Sequence, residues 1–115
     1  MSDIASLTKQ ILEFREKRDW KQFHNPKDLS LSLVLESTEV MEHFQWKNKE
    51  EIDLYIKEQR DAIGEELADV FYWTLLLSHD LGIDLKKALM DKMKKNNKKY
   101  PVEKTKGSHK KYTEL

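Results

Sequence analysis

The sequence predicts an all-α domain of four helices, and two observations lead to this fold class. Glycine and proline are scarce, with three and two in 115 residues, which favours long helices over a protein rich in strands and turns. Apolar residues recur at spacings of three and four along most of the chain, the period of a helix with one buried face. A chain of this length fits one domain with a single core. We expect the helical domain to occupy residues 1–101 and an extended, lysine-rich tail to follow over 102–115.

The first three helices follow from apolar spacing and from one strong break in the chain. We expect the first helix over Ser2–Arg18. Asn25-Pro26 interrupts the chain and opens the second helix, over Lys27–Trp46. The third helix is expected over Lys49–His79. A bend is expected near residues 57–64, because the glycine there weakens a helix interior by roughly 1 kcal/mol relative to alanine.

The fourth helix has signals at both ends. Asp84 is a good N-cap residue, and Tyr100-Pro101 ends the helix because proline cannot continue it. On this helix Lys92, Asn96 and Tyr100 recur at a spacing of four, so they share a face and could bind phosphate oxygens. A lysine-rich helix end that complements the helix dipole is the alternative interpretation of the same residues.

Composition excludes several classes of protein. There is no cysteine, so disulfides and thiolate metal sites are excluded. The formal net charge is zero, which gives no global bias toward nucleic acid. No apolar run approaches the roughly 18 residues of a membrane span, and the N-terminus lacks the apolar stretch of a signal peptide. We expect a soluble cytoplasmic protein that binds neither nucleic acid nor a membrane.

One segment of the third helix indicates oligomerisation. The helix is apolar on every side over Val70–Leu77, which reads VFYWTLLL. A helix that is apolar all round must be covered all round, and four helices from a chain this short hardly achieve that in a monomer. We therefore expect a homo-oligomer, with a central helix in a compact monomer as the alternative.

Two acidic pairs are the strongest candidates for chemistry. Glu36 and Glu39 lie three apart on the second helix, as do Glu66 and Asp69 on the third, so each pair projects from one helical face. Both pairs adjoin apolar sequence, where four uncompensated carboxylates would be costly without a cation. Ligation by oxygen alone favours Mg²⁺ or Mn²⁺. A solvated acidic face is the better interpretation of either pair taken alone.

Aromatic residues lie in phase with these acids. Trp46 and Trp73 each follow an acid by seven residues, which is nearly two turns and about 10 Å along a helix. An indole at that distance from a metal-bound phosphate could stack on the base of a nucleotide. Trp20 and His24, in the loop before the second helix, could close such a pocket. Each tryptophan taken alone is more often a core residue.

Together these residues resemble the all-α nucleoside triphosphate pyrophosphohydrolases of the MazG-like superfamily, and most closely its dCTP pyrophosphatase branch. The family signature is E-x-x-E on one helix and E-x-x-D on the next, and the chain reads ESTE over 36–39 and ELAD over 66–69. The segments DWKQFH over 19–24 and FQWK over 44–47 are similar to the base-recognition segments of the branch. The resemblance extends over nearly the whole chain.

The resemblance implies a reaction and a site. A (d)NTP and water would give the (d)NMP and pyrophosphate, which limits dCTP or removes modified pyrimidine triphosphates in nucleotide-pool sanitation. It also implies a homotetramer built as a dimer of dimers. The ligands of Mg²⁺, or of Mn²⁺ in its place, would be Glu36, Glu39, Glu66 and Asp69. The nucleoside pocket would be lined by Trp20, Phe23, His24, Trp46 and Trp73.

The sequence leaves three points open. The acceptor of the proton from the attacking water is one of three acids, Glu39, Glu42 or Glu65. The preferred base is open because Ile11, Trp73 and Ser37 depart from the histidine, tyrosine and glycine familiar in the branch, so dUTP or purine triphosphates are alternatives. A non-catalytic helical module that binds a protein partner is the alternative from another class.

Overall fold

A computed structural model describes residues 3–115, and these residues form helices and turns with no strand. The helices are α1 Asp3–Lys17, α2 Pro26–Glu42, α3 Lys49–Asp80, α4 Leu85–Lys99 and the short α5 Val102–Thr105. Single 3-10 turns lie at Lys21–Phe23 and Tyr112–Glu114. The all-α prediction is confirmed, and all four expected helices are present. The predicted helix start at Ser2 lies outside the described residues. Across residues 3–115 no helix is both long and apolar enough to span a membrane.

Side chains at the helix starts explain where the chain enters each helix. Asn25, Asn48 and Asp84 each accept a hydrogen bond from the backbone N–H three residues on, at 2.9, 2.9 and 3.1 Å. Pro26 occupies the first turn of α2, where no backbone N–H is needed. The Glu51 side chain accepts from the backbone N–H of Asn48 at 3.3 Å, which completes a capping box for α3. Each such cap stabilises its helix by about 1 kcal/mol.

The end of α2 and the bend in α3 differ in detail from expectation. α2 ends at Glu42 instead of Trp46. Trp46 has φ = 69°, a left-handed conformation that costs a non-glycine residue about 1–2 kcal/mol and cannot continue a right-handed helix. The bend in α3 is confirmed, but it is centred on Gln59 (φ −117°, ψ 24°) and not on Gly64.

The first of two compact units ends at Gly82 and contains α1, α2 and α3. Both α1 and α2 pack against α3. Leu29 of α2 and Leu75 and Leu76 of α3 are the fully buried apolar side chains of the described residues. The apolar segment of α3 thus supplies two of these three leucines, so the long third helix carries the core of the unit.

The second unit, Ile83–Leu115, contains α4, α5 and the turn Tyr112–Glu114. Tyr112 packs edge-on against Tyr100 with ring centroids 6.1 Å apart, and the Lys99 ammonium lies 4.8 Å from the Tyr112 ring. The predicted tail is therefore not extended throughout, because aromatic contacts return part of it to the end of α4. The predicted boundary between domain and tail stays a prediction.

Candidate active site

Three of the four predicted metal-binding acids converge where α2 packs on α3. Glu36 and Glu39 belong to α2, and Glu66 lies opposite them on α3. One carboxylate oxygen from each residue lies within 4.8 Å of the other two, close enough for all three to bind one cation. Asp69 lies next to this group, since it lines the same cavity as Glu36 and its charge acts on both Glu36 and Glu66.

The clustered carboxyls do not ionise independently. A hydrogen bond with Glu39, loss of solvent and the neighbouring negative charges raise the pKa of Glu66 to about 7. Burial, followed by hydrogen bonding to Glu39 and the charge of Asp69, raises the pKa of Glu36. Glu39 accepts hydrogen bonds from Glu66 and Glu36, and these lower its own pKa. The cluster therefore reduces its charge by retaining protons around an ionised Glu39.

The cluster fits a hard divalent cation. Oε2 of Glu36 is buried and has no hydrogen-bond partner among the described residues. A buried acceptor left unpaired in this way costs about 1–3 kcal/mol. All the donors are carboxylate oxygens, which suit magnesium, calcium or manganese better than softer metals. A bound cation would give the unpaired oxygen a partner and relieve the repulsion among the three acids.

An aromatic cavity of about 500 Å³ opens beside the acids. Its lining residues are Glu36 and Asp69 together with Gln10, Ile11, Phe14, Trp20, Tyr72 and Trp73. The four aromatic rings form a continuous series of edge-to-face contacts, with successive ring centroids 5.7, 6.2 and 4.9 Å apart. The volume lies in the range of small-ligand sites, and the wall offers flat rings to a flat ligand.

Two of the predicted pocket residues line this cavity, and a third packs against one of them. Trp20 and Trp73 line the cavity, and the His24 ring packs edge-on against Trp73 with centroids 5.8 Å apart. Phe23 precedes His24 in the 3-10 turn but is 65% exposed and is not among the lining residues. The contribution of Phe23 to substrate binding stays a prediction.

Trp46 lies in the turn between α2 and α3 and is 91% exposed. The prediction that Trp46 lies two helical turns beyond Glu39 on the same face is wrong, because α2 ends at Glu42. An indole with this exposure is not a core residue, so the core alternative is removed for Trp46. Its contact with a nucleoside stays a prediction.

A second cavity, of about 430 Å³, adjoins the same acids and is lined by Glu39, Glu42, His43, Tyr55 and Glu66. The Tyr55 hydroxyl lies 2.5 Å from Nδ1 of His43, and Nε2 of His43 lies 4.0 Å from a carboxylate oxygen of Glu66. Two of the three candidate proton acceptors therefore line this cavity. The third, Glu65, is exposed on α3 and lines neither of these two cavities.

Several residues of the two cavities were not predicted. Gln10 and Phe14 stand four apart on α1 and so share a face, a signal that could have placed both beside the pocket. Tyr72 adjoins Trp73, but in a segment that is apolar on every side the spacing cannot tell which ring faces a cavity. His43 is the C-cap of α2 and Tyr55 lies on α3, and no local pattern connects them.

The predicted phosphate-binding residues lie in the second unit. Lys92 and Asn96 are one turn apart on α4, and Tyr100 is its C-cap, whose N–H donates to the Asn96 carbonyl at 2.8 Å. Asn96 is half-buried, whereas Lys92 and Tyr100 are exposed. Their contact with phosphate stays a prediction.

Known proteins resemble this chain in sequence and in structure. The sequence pattern of the MazG-like family matches residues 31–115. dCTP pyrophosphatase 1 of Bos taurus is 42% identical over 105 residues and that of Homo sapiens is 41% identical. Each match covers 90% of this chain, which spans 62% of the length of these relatives. A solved pyrophosphatase from Archaeoglobus fulgidus DSM 4304 has a TM-score of 0.83 at 33% identity, covering 88% of this chain and 94% of that chain.

The family match includes both acidic pairs, α2 from Leu31 onward and all the later helices. The similarity in structure extends over nearly the full length of a solved pyrophosphatase. The resemblance carried by the two acidic pairs is therefore confirmed, and the chain belongs to the MazG-like family.

Proposed function

We propose that this protein hydrolyses a nucleoside triphosphate between its α and β phosphates, giving the monophosphate and pyrophosphate. The observation that carries the proposal is a cluster of three carboxylates directly beside a cavity walled by aromatic rings, since Glu36 belongs to both. A metal-binding group next to a surface for a flat base matches the two ends of a nucleotide. The names of the relatives, dCTP pyrophosphatase 1 and a pyrophosphatase, support the same reaction.

The residues that would hold the substrate fall into three sets. Mg²⁺, or Mn²⁺ in its place, would be bound by Glu36, Glu39, Glu66 and Asp69. When bound, the cation supplies charge neutralisation for phosphate oxygens and lowers the pKa of water. The rings of Trp20 and Trp73 would take the base, and each stacking contact contributes about 1–3 kcal/mol. Residues of α4 that would contact the β and γ phosphates are Lys92, Asn96 and Tyr100.

The reaction requires a group that accepts a proton. The water oxygen bonds to the α-phosphorus, the bond from that phosphorus to the bridging oxygen breaks, and pyrophosphate leaves. A carboxylate takes the proton released by the water. Glu39 is the first candidate, because it belongs to the carboxylate cluster and lines the cavity of Glu42, His43, Tyr55 and Glu66. Glu42, which lines the same cavity, is the second candidate, and the exposed Glu65 is the third.

The proposed substrate is dCTP or a modified pyrimidine deoxynucleotide, as the names of the relatives suggest. Ile11 and Trp73, two departures from the branch, both line the aromatic cavity, so they fall where the base would lie. dUTP and purine triphosphates are therefore kept as alternatives. The third departure, Ser37, is exposed, and its hydroxyl donates to the Leu33 carbonyl at 2.8 Å. The proposed role is nucleotide-pool sanitation in the cytoplasm, where such triphosphates are used.

The proposed assembly is a homo-oligomer, and a tetramer built as a dimer of dimers is what the resemblance implies. The exposed apolar side chains on α2 and α3, at 44–63% exposure, include Leu31, Val34, Leu35, Met41, Leu67 and Phe71. Spacings of three, four and seven place each set on one face of its helix. Exposed apolar helix faces of this kind mark protein interfaces. Neither nucleic acid nor a membrane is proposed as a partner.

A panel of nucleoside triphosphates assayed for pyrophosphate, with and without Mg²⁺, tests the proposal. We expect release that depends on the metal and is highest for a pyrimidine deoxynucleotide. Glu58→Gln, an exposed acid of α3 outside the cluster, is the matched control for substitutions of the clustered acids. Absence of metal-dependent release from every triphosphate would instead support a non-catalytic interaction module.

A further inference from the structure

A buried ion pair connects α1 to the end of α3. Arg15 is only 3% exposed, although arginine is among the residues least often buried. Its two terminal nitrogens donate to the two carboxylate oxygens of Asp80 at 2.7 and 2.9 Å. This bidentate geometry fixes the plane of the guanidinium, because both bonds must remain parallel. Arg15 and Asp80 are therefore held in one orientation.

The fixed guanidinium also sets the chemical state of His24. Nη1 of Arg15 lies 3.4 Å from Nδ1 of His24. A guanidinium nitrogen only donates, so Nδ1 must offer its lone pair and the ring hydrogen must reside on Nε2. Burial, followed by the positive charge of Arg15, lowers the pKa of His24, which agrees with a neutral ring in this position. His24 is therefore fixed in one tautomer and one ring orientation.

The ring fixed in this way supports the wall of the aromatic cavity. The His24 ring meets Trp73 edge-on, with centroids 5.8 Å apart and planes at 73°. Trp73 lines the cavity together with Glu36, whereas Arg15, His24 and Asp80 are not among its lining residues. A substrate in the cavity would therefore contact Trp73, and Trp73 in turn rests on His24.

We propose that Arg15, held by Asp80, is a positioning residue that acts through His24 to keep the Trp73 ring in place for nucleoside binding. This inference rests on the proposed function, because it assigns the base to the aromatic cavity. A purely stabilising role is the competing account. A buried ion pair adds little net stability, because removing two charges from water offsets their attraction. Its bidentate hydrogen bonds do fix an orientation, and a fixed orientation is what the position of the Trp73 ring requires.

The test is a double-mutant cycle of Arg15→Lys and His24→Ala, measured by KM and kcat for the best triphosphate of the panel. A single ammonium cannot reproduce the planar fork that reaches both Asp80 oxygens and Nδ1. We expect Arg15→Lys to raise KM roughly two- to tenfold, the size of one aromatic contact, with kcat nearly unchanged. In the His24→Ala background Arg15→Lys should have no further effect. Additive effects of the two changes on KM would overturn the proposal.

One further measurement and two further variants separate this inference from a purely stabilising role and from the proposed function. Nitrogen NMR of isotope-labelled histidine should show His24 protonated on Nε2 in the wild type and mixed between tautomers in Arg15→Lys. A wild-type ring protonated on Nδ1 would overturn the inference even if no triphosphate is hydrolysed. Asp80→Asn, which keeps the shape of the partner, replaces Arg15→Lys if that variant does not fold. Lys87→Gln, which removes an exposed ion pair of 2.8 Å on α4, should leave KM unchanged.

Discussion

Carboxylate oxygens of Glu39 on α2 and Glu66 on α3 lie within 4.8 Å of each other across the helix interface, where a protonated Glu66 can donate to an ionised Glu39. The effect on the two groups is opposite, since the pKa of Glu39 is lowered and that of Glu66 is raised to about 7. Two carboxylates this close cannot both ionise at low cost. The pair therefore holds a proton that a cation would displace.

The metal-free protein should lose stability as pH rises through the range set by Glu66. Its pKa is about 7 in the folded protein against an ordinary value of 4.5, so the folded state holds a proton that the unfolded state releases. That contribution is complete below pH 4.5 and is lost as pH rises through 7. Glu66→Gln should flatten this part of the profile, whereas Glu58→Gln should not. Melting temperatures in chelator between pH 4 and 8 check this, and identical slopes for wild type and Glu66→Gln would contradict it.

Glu39→Gln and Asp69→Asn should abolish turnover without unfolding the protein. Each change removes a negative charge from the cluster, so repulsion falls and the metal-free melting temperature should stay equal or rise. Pyrophosphate release should fall by at least about a hundredfold, because the developing charge of the reaction loses its stabilisation. Glu58→Gln again provides the control. Activity within a few-fold of wild type in either variant would remove that residue from the site.

The helices and the acid pairs could be predicted because they depend on local pattern. Spacings of three and four define both a buried helix face and a carboxylate pair, and the caps Asn25 and Asp84 need only the residues that follow them. Asp69 shows the limit of this reasoning. Both acid pairs have the same spacing, but their four side chains do not all meet. Of these four acids, Glu36, Glu39 and Glu66 have carboxylate oxygens within 4.8 Å of one another, and Asp69 lies outside this group.

The contacts that sequence could not supply join distant segments. Arg15 contacts Asp80 across 65 positions, and His43, just after α2, contacts Tyr55 of α3, so neither pair produces a local sequence pattern. The predicted position of Trp46 was wrong for a different reason. The helix already ends at Glu42, and Trp46 adopts a left-handed backbone in the turn that follows, without the glycine that normally signals this conformation.

The exposed apolar faces of α2 and α3 predict that the protein is an oligomer at micromolar concentration. Leu35, which is 63% exposed, should be covered by a second copy of the chain. Leu35→Glu should therefore shift the protein to a smaller species, because an unpaired charge would be buried at the interface. Lys27→Glu, an exposed charge change at the start of α2, is the control. Sedimentation of the wild type as a stable 13.8 kDa monomer would refute the prediction.

Replacing Trp46 with alanine should lower mainly nucleotide affinity, whereas replacing Trp73 should lower both stability and affinity. Trp46 is 91% exposed, so Trp46→Ala should leave the melting temperature nearly unchanged. If its indole stacks on a nucleoside, affinity should fall by about 1–3 kcal/mol, roughly ten- to a hundredfold in Kd. Trp73 is half-buried between Tyr72 and His24, so Trp73→Ala should lower both quantities. The loss of stability in Trp73→Ala should be smaller than the loss of about 3–5 kcal/mol that follows replacement of a core tryptophan by alanine.

The two variants should be compared by melting temperature and by the Kd of a metal-bound, non-hydrolysable triphosphate analogue. If Trp46→Ala changes neither the melting temperature nor the Kd, Trp46 is not part of the nucleoside site. If Trp73→Ala lowers stability while the folded fraction binds the analogue as tightly as wild type, the role of Trp73 is packing and not nucleoside binding. The outcome for Trp73 also bears on Arg15, because an ion pair that positions His24 can affect affinity only if the ring that His24 supports contacts the base.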